Sequence, residues 1–238
     1  MKYKILLYFL LSALFFSCNN NLDIKSPNVI IVITDDQGYG DIGYNGNPHL
    51  ITPNLDKFAG ESMRFNNFNV SPVCAPTRSS LLTGTYSLRT GVTDTYNGGA
   101  IMSSTEITLA EIFNENNYKT GIFGKWHLGD NYPSRPSDQG FNESLIHLSG
   151  GIGQVGDFTN YYKGATSYYD PILWLNNKQK KYNGYCSDIF TDEAIKFIED
   201  NKENQFFCYL SFNAPHTPLQ VPEKYYQMYK DIDPTNIN

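Results

Sequence analysis

Val29-Ile30-Ile31-Val32-Ile33 limits the folds open to this chain more than any other segment. Every residue in it is β-branched, which stiffens the side chains against a helix and suits a pleated strand. The run is too short for a helical pattern and has no polar alternation, so a strand buried on both faces is expected. Such a strand needs a layer above and a layer below, and several segments can supply them. Thr52-Pro53 starts a helix with Leu55, Phe58 and Ala59 on one face, and Arg64 to Val70 reads as a more polar strand. Thr108-Leu109-Ala110-Glu111 has capping-box spacing ahead of a stripe of Leu109, Ile112 and Phe113, and a short strand follows around Thr120 to Phe123. Tyr132 to Gly184 is rich in Gly, Tyr, Asn and Ser with little periodicity, which implies loops and a hairpin decorating the sheet. Phe190, Ala194, Phe197 and Ile198 restore helical spacing, and Phe206 to Phe212 is a second buried strand. Apolar strands alternating with amphipathic helices imply an α/β sheet with helices on both faces.

Ligands of such sheets sit beyond the carboxyl ends of the strands. Asp35 with Asp36, Lys125 with His127, and His216 all follow strands directly and should share one rim. Adjacent carboxylates repel unless a cation or positive side chains neutralise them, and their oxygens suit calcium or magnesium. An isolated Asp-Asp pair more often caps a turn with one member and faces water with the other. Cys74 opens the run Cys74-Ala75-Pro76-Thr77-Arg78. Proline is favoured in a first helical turn, so Cys74 should lie just outside a helix whose free N–H groups and Arg78 attract an anion. The alternative for Cys74 is an inert structural thiol. Taken together, a metal and several cations around a nucleophile would hold a tetrahedral oxyanion, which points to sulfuryl or phosphoryl transfer.

The first eighteen residues differ in kind: Lys2 and Lys4, an apolar run from Ile5 to Phe16, then Ser17-Cys18. This reads as an export signal, and Cys18 at its end resembles the lipid-acceptor cysteine of bacterial lipoproteins, with simple secretion as the alternative. Residues 19–26 then form a polar tether, and 27–238 the folded domain. The expected location is the periplasm or outer surface of a bacterium, with lipid on Cys18 holding the protein at a membrane. A net charge of -6 gives no basic face, so nucleic acid is not an expected partner. Cys208 lies in the apolar run Phe206-Phe207-Cys208-Tyr209-Leu210 and reads as a core residue. A Cys186–Cys208 disulfide stays open.

Cys74-Ala75-Pro76-Thr77-Arg78, followed by Leu81-Leu82-Thr83-Gly84, resembles the signature of type I sulfatases. Tyr118-Lys119-Thr120-Gly121-Ile122-Phe123-Gly124-Lys125-Trp126-His127-Leu128-Gly129 resembles the family's second signature, with Asn117 where glycine is usual. Asp35-Asp36-Gln37-Gly38 and Asn213-Ala214-Pro215-His216-Thr217-Pro218-Leu219 are also similar to sulfatase blocks. The resemblance implies an alkaline phosphatase-like fold with a mixed, mostly parallel central sheet. It implies hydrolysis of a sulfated carbohydrate or aryl sulfate, with Cys74 converted by a maturing enzyme to formylglycine. Calcium would be bound by Asp35, Asp36 and residue 74. Arg78 and Lys125 would steady the formylglycine hydrate, with Lys125 also placed to bind substrate, while His127 would activate or release it and His216 would contact sulfate. A plain thiolate would leave a sulfur–sulfur bond with no built-in exit, whereas a geminal diol keeps a second hydroxyl that can expel sulfate.

The family also has an Asp-Asn metal pair and a lysine further downstream, which Lys224, Lys230 and residues 231–238 do not match. The later strands and C-terminal subdomain are likewise unmatched, so the 238 residues are expected to be inactive alone. Two other readings stay open: a phosphate or phosphonate ester hydrolase, and a sulfated-glycan binder without turnover. For the binder, Tyr161, Tyr162, Tyr168, Tyr169, Trp174, Tyr182 and Tyr185 could stack on sugars, with loop packing as the alternative role.

Overall fold

The computed structural model of the chain describes residues 26–152 and 168–232. Its strands are β1 (Val29–Asp35), β2 (Lys119–Lys125), β3 (Glu143–His147), β4 (Ile172–Leu175), β5 (Lys178–Lys181) and β6 (Phe206–Pro215). Its helices are α1 (Pro53–Glu61), α2 (Cys74–Thr83), α3 (Leu109–Glu115), α4 (Cys186–Asn201) and α5 (Glu223–Tyr229). One sheet runs β1-β6-β2-β3-β4-β5. The first four of these are parallel, and β4 and β5 add an antiparallel hairpin at the far edge. This is the mixed, mostly parallel sheet expected.

Successive residues of a strand point to opposite faces, and β6 uses both. Phe207 and Tyr209 join a cluster with Ala75 and Leu82 of α2 and Ala110 of α3. Phe206 and Cys208 join the other, with Phe190, Ala194 and Phe197 of α4. Ile122 and Phe123 on β2 divide in the same way. The capping box of α3 is present: the Glu111 N–H donates to Thr108 Oγ1 at 3.2 Å, and the Thr108 N–H to Glu111 Oε2 at 2.8 Å.

Several expectations need correction. β1 is not buried on both faces, because it lies at the sheet edge and α4 packs on β6 and β2. Val29, Ile31 and Ile33 pack on the α2 side, while Ile30 is 50% and Val32 59% exposed. Helix α1 forms as its pattern implies, yet Leu55 and Phe58 remain exposed. Residues 64–70 make no strand, since no strand among the described residues pairs with them. β3 forms within the stretch expected to be loops and a hairpin, because Glu143-Ser144-Leu145-Ile146-His147 has too few apolar residues to mark a strand. Cys186 and Cys208 are separate buried thiols rather than a disulfide. Residues 1–18, Cys18 included, and 19–25 of the tether lie outside the described residues, as do Tyr161, Tyr162 and the tail from 233.

Gly124 fixes how closely β2 approaches β6. It pairs with Ser211 at a φ of 120°, and a Cβ there would stand 1.8 Å from the Ser211 carbonyl oxygen. Gly46 also has positive φ, at 94°, but faces open space. Gly124→Ala should therefore destabilise by about 3 kcal/mol or more, lowering the melting temperature by roughly 6–12 °C. Gly46→Ala should cost about 1–2 kcal/mol of backbone strain alone. Equal losses in calorimetry would mean that the Ser211 contact does not require glycine.

Candidate active site

Because β1, β6, β2 and β3 are parallel, their carboxyl ends share one rim. β1 ends there at Asp35, β2 at Lys125 and β3 at His147, with Lys125 paired to His147 and Asp35 to Pro215. His127 and His216 follow β2 and β6. Helix α2 presents its N-terminus to the same rim, and here the expectation shifts by one position. Cys74 is the first residue of α2 rather than a residue outside it, with Val73 as the N-cap. Val73 offers no side-chain cap, so the positive end of the helix is not quenched by its own sequence.

The centre of the rim is a buried ion cluster. Lys125 Nζ lies 2.5 Å from Asp35 Oδ2, and Arg78 Nη2 lies 3.4 Å from Asp35 Oδ1, with all three side chains at most 3% exposed. Arg78 Nη1 also donates to the Lys125 carbonyl at 3.1 Å and to Ser211 Oγ. Ser211 Oγ in turn donates to the Lys125 carbonyl at 2.8 Å. Two cations face one carboxylate, so the cluster carries excess positive charge in a place where water cannot screen it. Burial, and then Arg78, hold the Lys125 ammonium below its usual pKa, with Asp35 opposing them. An anion arriving here would balance that excess.

His127 sits at the edge of the cluster with a φ of 58°, a left-handed conformation that costs a non-glycine residue strain. Its Nδ1 lies 3.3 Å from Cys74 Sγ and its Nε2 3.0 Å from the Thr95 carbonyl oxygen. Burial, and then Lys125, lower its pKa to about 3, so the ring is neutral near pH 7. A carbonyl can only accept, so Nε2 carries the proton. The lone pair of Nδ1 therefore faces Cys74, and the thiol donates to it. His147, fully buried beside this pair, is held well below 6.5, by burial first and then by Lys125 and Arg78.

Asp36 and His216 stand apart from the buried cluster. Asp36 is exposed at a φ of 63°, with Oδ2 3.7 Å from His216 Nε2. Tyr168 Oη donates to the His216 carbonyl at 2.6 Å and so fixes that loop. Tyr168 is buried, and Tyr185 Oη donates to the Gln220 carbonyl, so both hold the loop in place. Trp174, Tyr169 and Tyr182 are half-buried.

Asp35, Asp36, Cys74 and Arg78 line one pocket of about 480 Å³. Its two carboxylates suit calcium in kind, since a hard cation takes oxygen ligands, roughly six to eight of them. Among the described residues, however, no three of His, Cys, Asp and Glu converge as a metal set. Both Asp35 oxygens already face Lys125 and Arg78. As arranged, those two side chains neutralise Asp35, one of the two means that the sequence leaves open. Ser211 and Thr95 escaped the sequence reading, because a serine within an apolar strand and a backbone carbonyl in a loop carry no distinctive pattern.

Asp35→Asn leaves two buried cations without a counter-charge and should destabilise the protein by about 3–5 kcal/mol in urea unfolding. Adding Lys125→Met should recover part of that loss through coupling of the pair. A loss below about 1 kcal/mol in Asp35→Asn would mean that the cluster does not hold the rim together.

A family model described as Sulfatase matches residues 27–238. The chain is 36% identical over 207 residues to an N-acetylglucosamine-6-O-sulfatase of Bacteroides thetaiotaomicron, covering 84% of this chain and 33% of that protein. Among solved structures, that of Ps i-CgsB is 35% identical with a TM-score of 0.76, covering 88% of this chain and 49% of the other. Another, in complex with its substrate D-glucosamine-2-N,6-O-disulfate, is 28% identical with a TM-score of 0.73, covering 87% and 38%. The chain spans between 33% and 46% of the length of the curated relatives it matches.

Proposed function

The chain belongs to the sulfatase family, and from that premise we propose that its rim serves the hydrolysis of sulfate esters, with a sulfated carbohydrate as substrate. Residue 74 is the nucleophile, after a maturing enzyme converts its side chain to formylglycine. The observation that carries this reading is the 3.3 Å contact between Cys74 Sγ and the unprotonated Nδ1 of His127. The aldehyde hydrate supplies both the attacking hydroxyl and a second hydroxyl through which sulfate can leave.

The chain's own residues divide the remaining work. His127 Nδ1 takes the proton from the hydroxyl standing where Sγ now lies, and the Thr95 carbonyl keeps the ring in the tautomer able to do so. Arg78 and Lys125 hold the anionic oxygens of the hydrate and the sulfate, drawn by their excess charge and by the N-terminus of α2. Asp35 and Ser211 keep those cations aimed at the site. His216, whose Nε2 faces Asp36, contacts the sulfate as well. A calcium ion would be held by Asp35, Asp36 and residue 74, competing with Lys125 for Asp35, and would supply further positive charge to the sulfate oxygens.

The carbohydrate reading is supported by the relative that acts on N-acetylglucosamine 6-sulfate and by the structure holding a glucosamine disulfate. We place the protein outside the cytoplasm, held at a membrane by lipid on Cys18. Co-production with a formylglycine-generating enzyme should yield an aldehyde at residue 74 by peptide mass spectrometry. With calcium present, any sulfate release from an aryl sulfate should exceed phosphate release from the matching phosphate ester and be lost in Cys74→Ala. An unaltered thiol at residue 74, or sulfate release indifferent to Cys74→Ala, would overturn the reading.

A further inference from the structure

Residue 74 is encoded as a thiol, and in that form it already has the surroundings of a nucleophile. Cys74 is half-buried and lines the pocket of about 480 Å³ shared with Asp35, Asp36 and Arg78, so a small molecule can reach it. Cys186 and Cys208 are fully buried instead. The Cys74 thiol donates to His127 Nδ1 at 3.3 Å, and His127 Nε2 donates to the Thr95 carbonyl at 3.0 Å. A nucleophile bonded to a base, with a third group orienting that base, is the arrangement that activates cysteine for covalent catalysis.

Two further features concern the group that arrives. The first N–H groups of α2 have no intrahelical acceptor and no side-chain cap, so the helix presents its positive end at Cys74. Arg78, 1% exposed, lines the same pocket, and its Nε has no hydrogen-bond partner among the described residues. A buried donor without an acceptor favours a ligand that brings one. Lys125 and Arg78 together outweigh Asp35 in charge. Negative charge developing on a carbonyl oxygen therefore suits the site, as does a carboxylate elsewhere on the molecule.

Sulfur chemistry selects the electrophile. A sulfuryl group taken by the thiol would end as a sulfur–sulfur bond, whereas an acyl group would end as a thioester whose carbonyl carbon water can attack. We infer that the chain with an unconverted Cys74 catalyses acyl transfer from small carboxylic esters that carry negative charge. Sγ bonds to the ester carbonyl carbon as the thiol proton passes to His127 Nδ1. The carbon–oxygen bond to the alcohol then breaks, and the alcohol leaves with that proton. Water next attacks the thioester and gives a proton to Nδ1, which returns it to Sγ as the carboxylic acid departs. Ester and water become acid and alcohol, with no oxidant or reductant. This activity lies beyond the sulfate-ester reading, because conversion of residue 74 to an aldehyde removes the thiol and ends it.

Treating the full chain, produced without a maturing enzyme, with para-nitrophenyl acetate and with its ring-carboxylated analogue tests the inference. Peptide mass spectrometry should find the acetyl group on Cys74 and not on Cys186 or Cys208. Nitrophenolate release per thiol should exceed that of the same chain unfolded in urea by about a hundredfold. Folding should also favour the carboxylated ester over the neutral one by about tenfold. Asparagine tolerates the left-handed backbone of His127, so His127→Asn should keep the fold and lower the rate about a hundredfold. Cys208→Ala should leave the rate unchanged. Acyl transfer by the thiol form, with no sulfate release after conversion of residue 74, would support the inference while counting against the sulfate-ester reading. Three results would overturn it: a Cys74 no more reactive folded than unfolded, an unchanged rate in folded His127→Asn, or no preference for the carboxylated ester. Should His127→Asn fail to fold, the comparison of folded with unfolded wild-type chain decides.

Discussion

Asp35 brings its carboxylate from an edge strand to two buried cations, Lys125 on a central strand and Arg78 on a helix. That single group ties β1, β2 and α2 together at the rim, although apolar packing brings the elements to within reach of one another. The arrangement is costly on its own terms, since buried ion pairs repay their desolvation only with good geometry and further hydrogen bonds. Ser211 and the Lys125 carbonyl provide those bonds to Arg78. Gly124 makes them possible by letting β6 approach without obstruction. What the fold gains in return is a fixed positive field beside residue 74.

That field also sets the state of His127. A positive surround and exclusion of water keep its ring neutral, and the Thr95 carbonyl chooses which nitrogen holds the proton. The ring is thus a base aimed at residue 74 before any substrate binds.

Much of this was legible in the sequence. Asp35, Lys125, His127 and His216 could be placed on one rim because each follows an apolar strand directly, and parallel strands end together. The helix of Cys74 and Arg78 was legible from Pro76. Less legible were features set by partners distant in sequence. β-branched composition says that β1 is a strand but not that it lies at an edge, so the exposure of Ile30 and Val32 went unforeseen. Residues 64–70 have strand composition, but composition cannot supply a neighbour to pair with. β3 forms because β2 accepts it as a parallel neighbour, with only Leu145 and Ile146 to announce it. At the site, the carboxylate pair called for positive charge nearby, but not for its division, with Asp35 turned inward to Lys125 and Arg78 and Asp36 turned out toward His216.

The central claim is that His127 is a neutral base with its free nitrogen directed at residue 74. Nitrogen-15 shifts of the His127 ring in the full-length protein near pH 7 test this directly. The account predicts a neutral imidazole with the proton on Nε2 and an unprotonated Nδ1. A doubly protonated ring, or a proton on Nδ1, would contradict it.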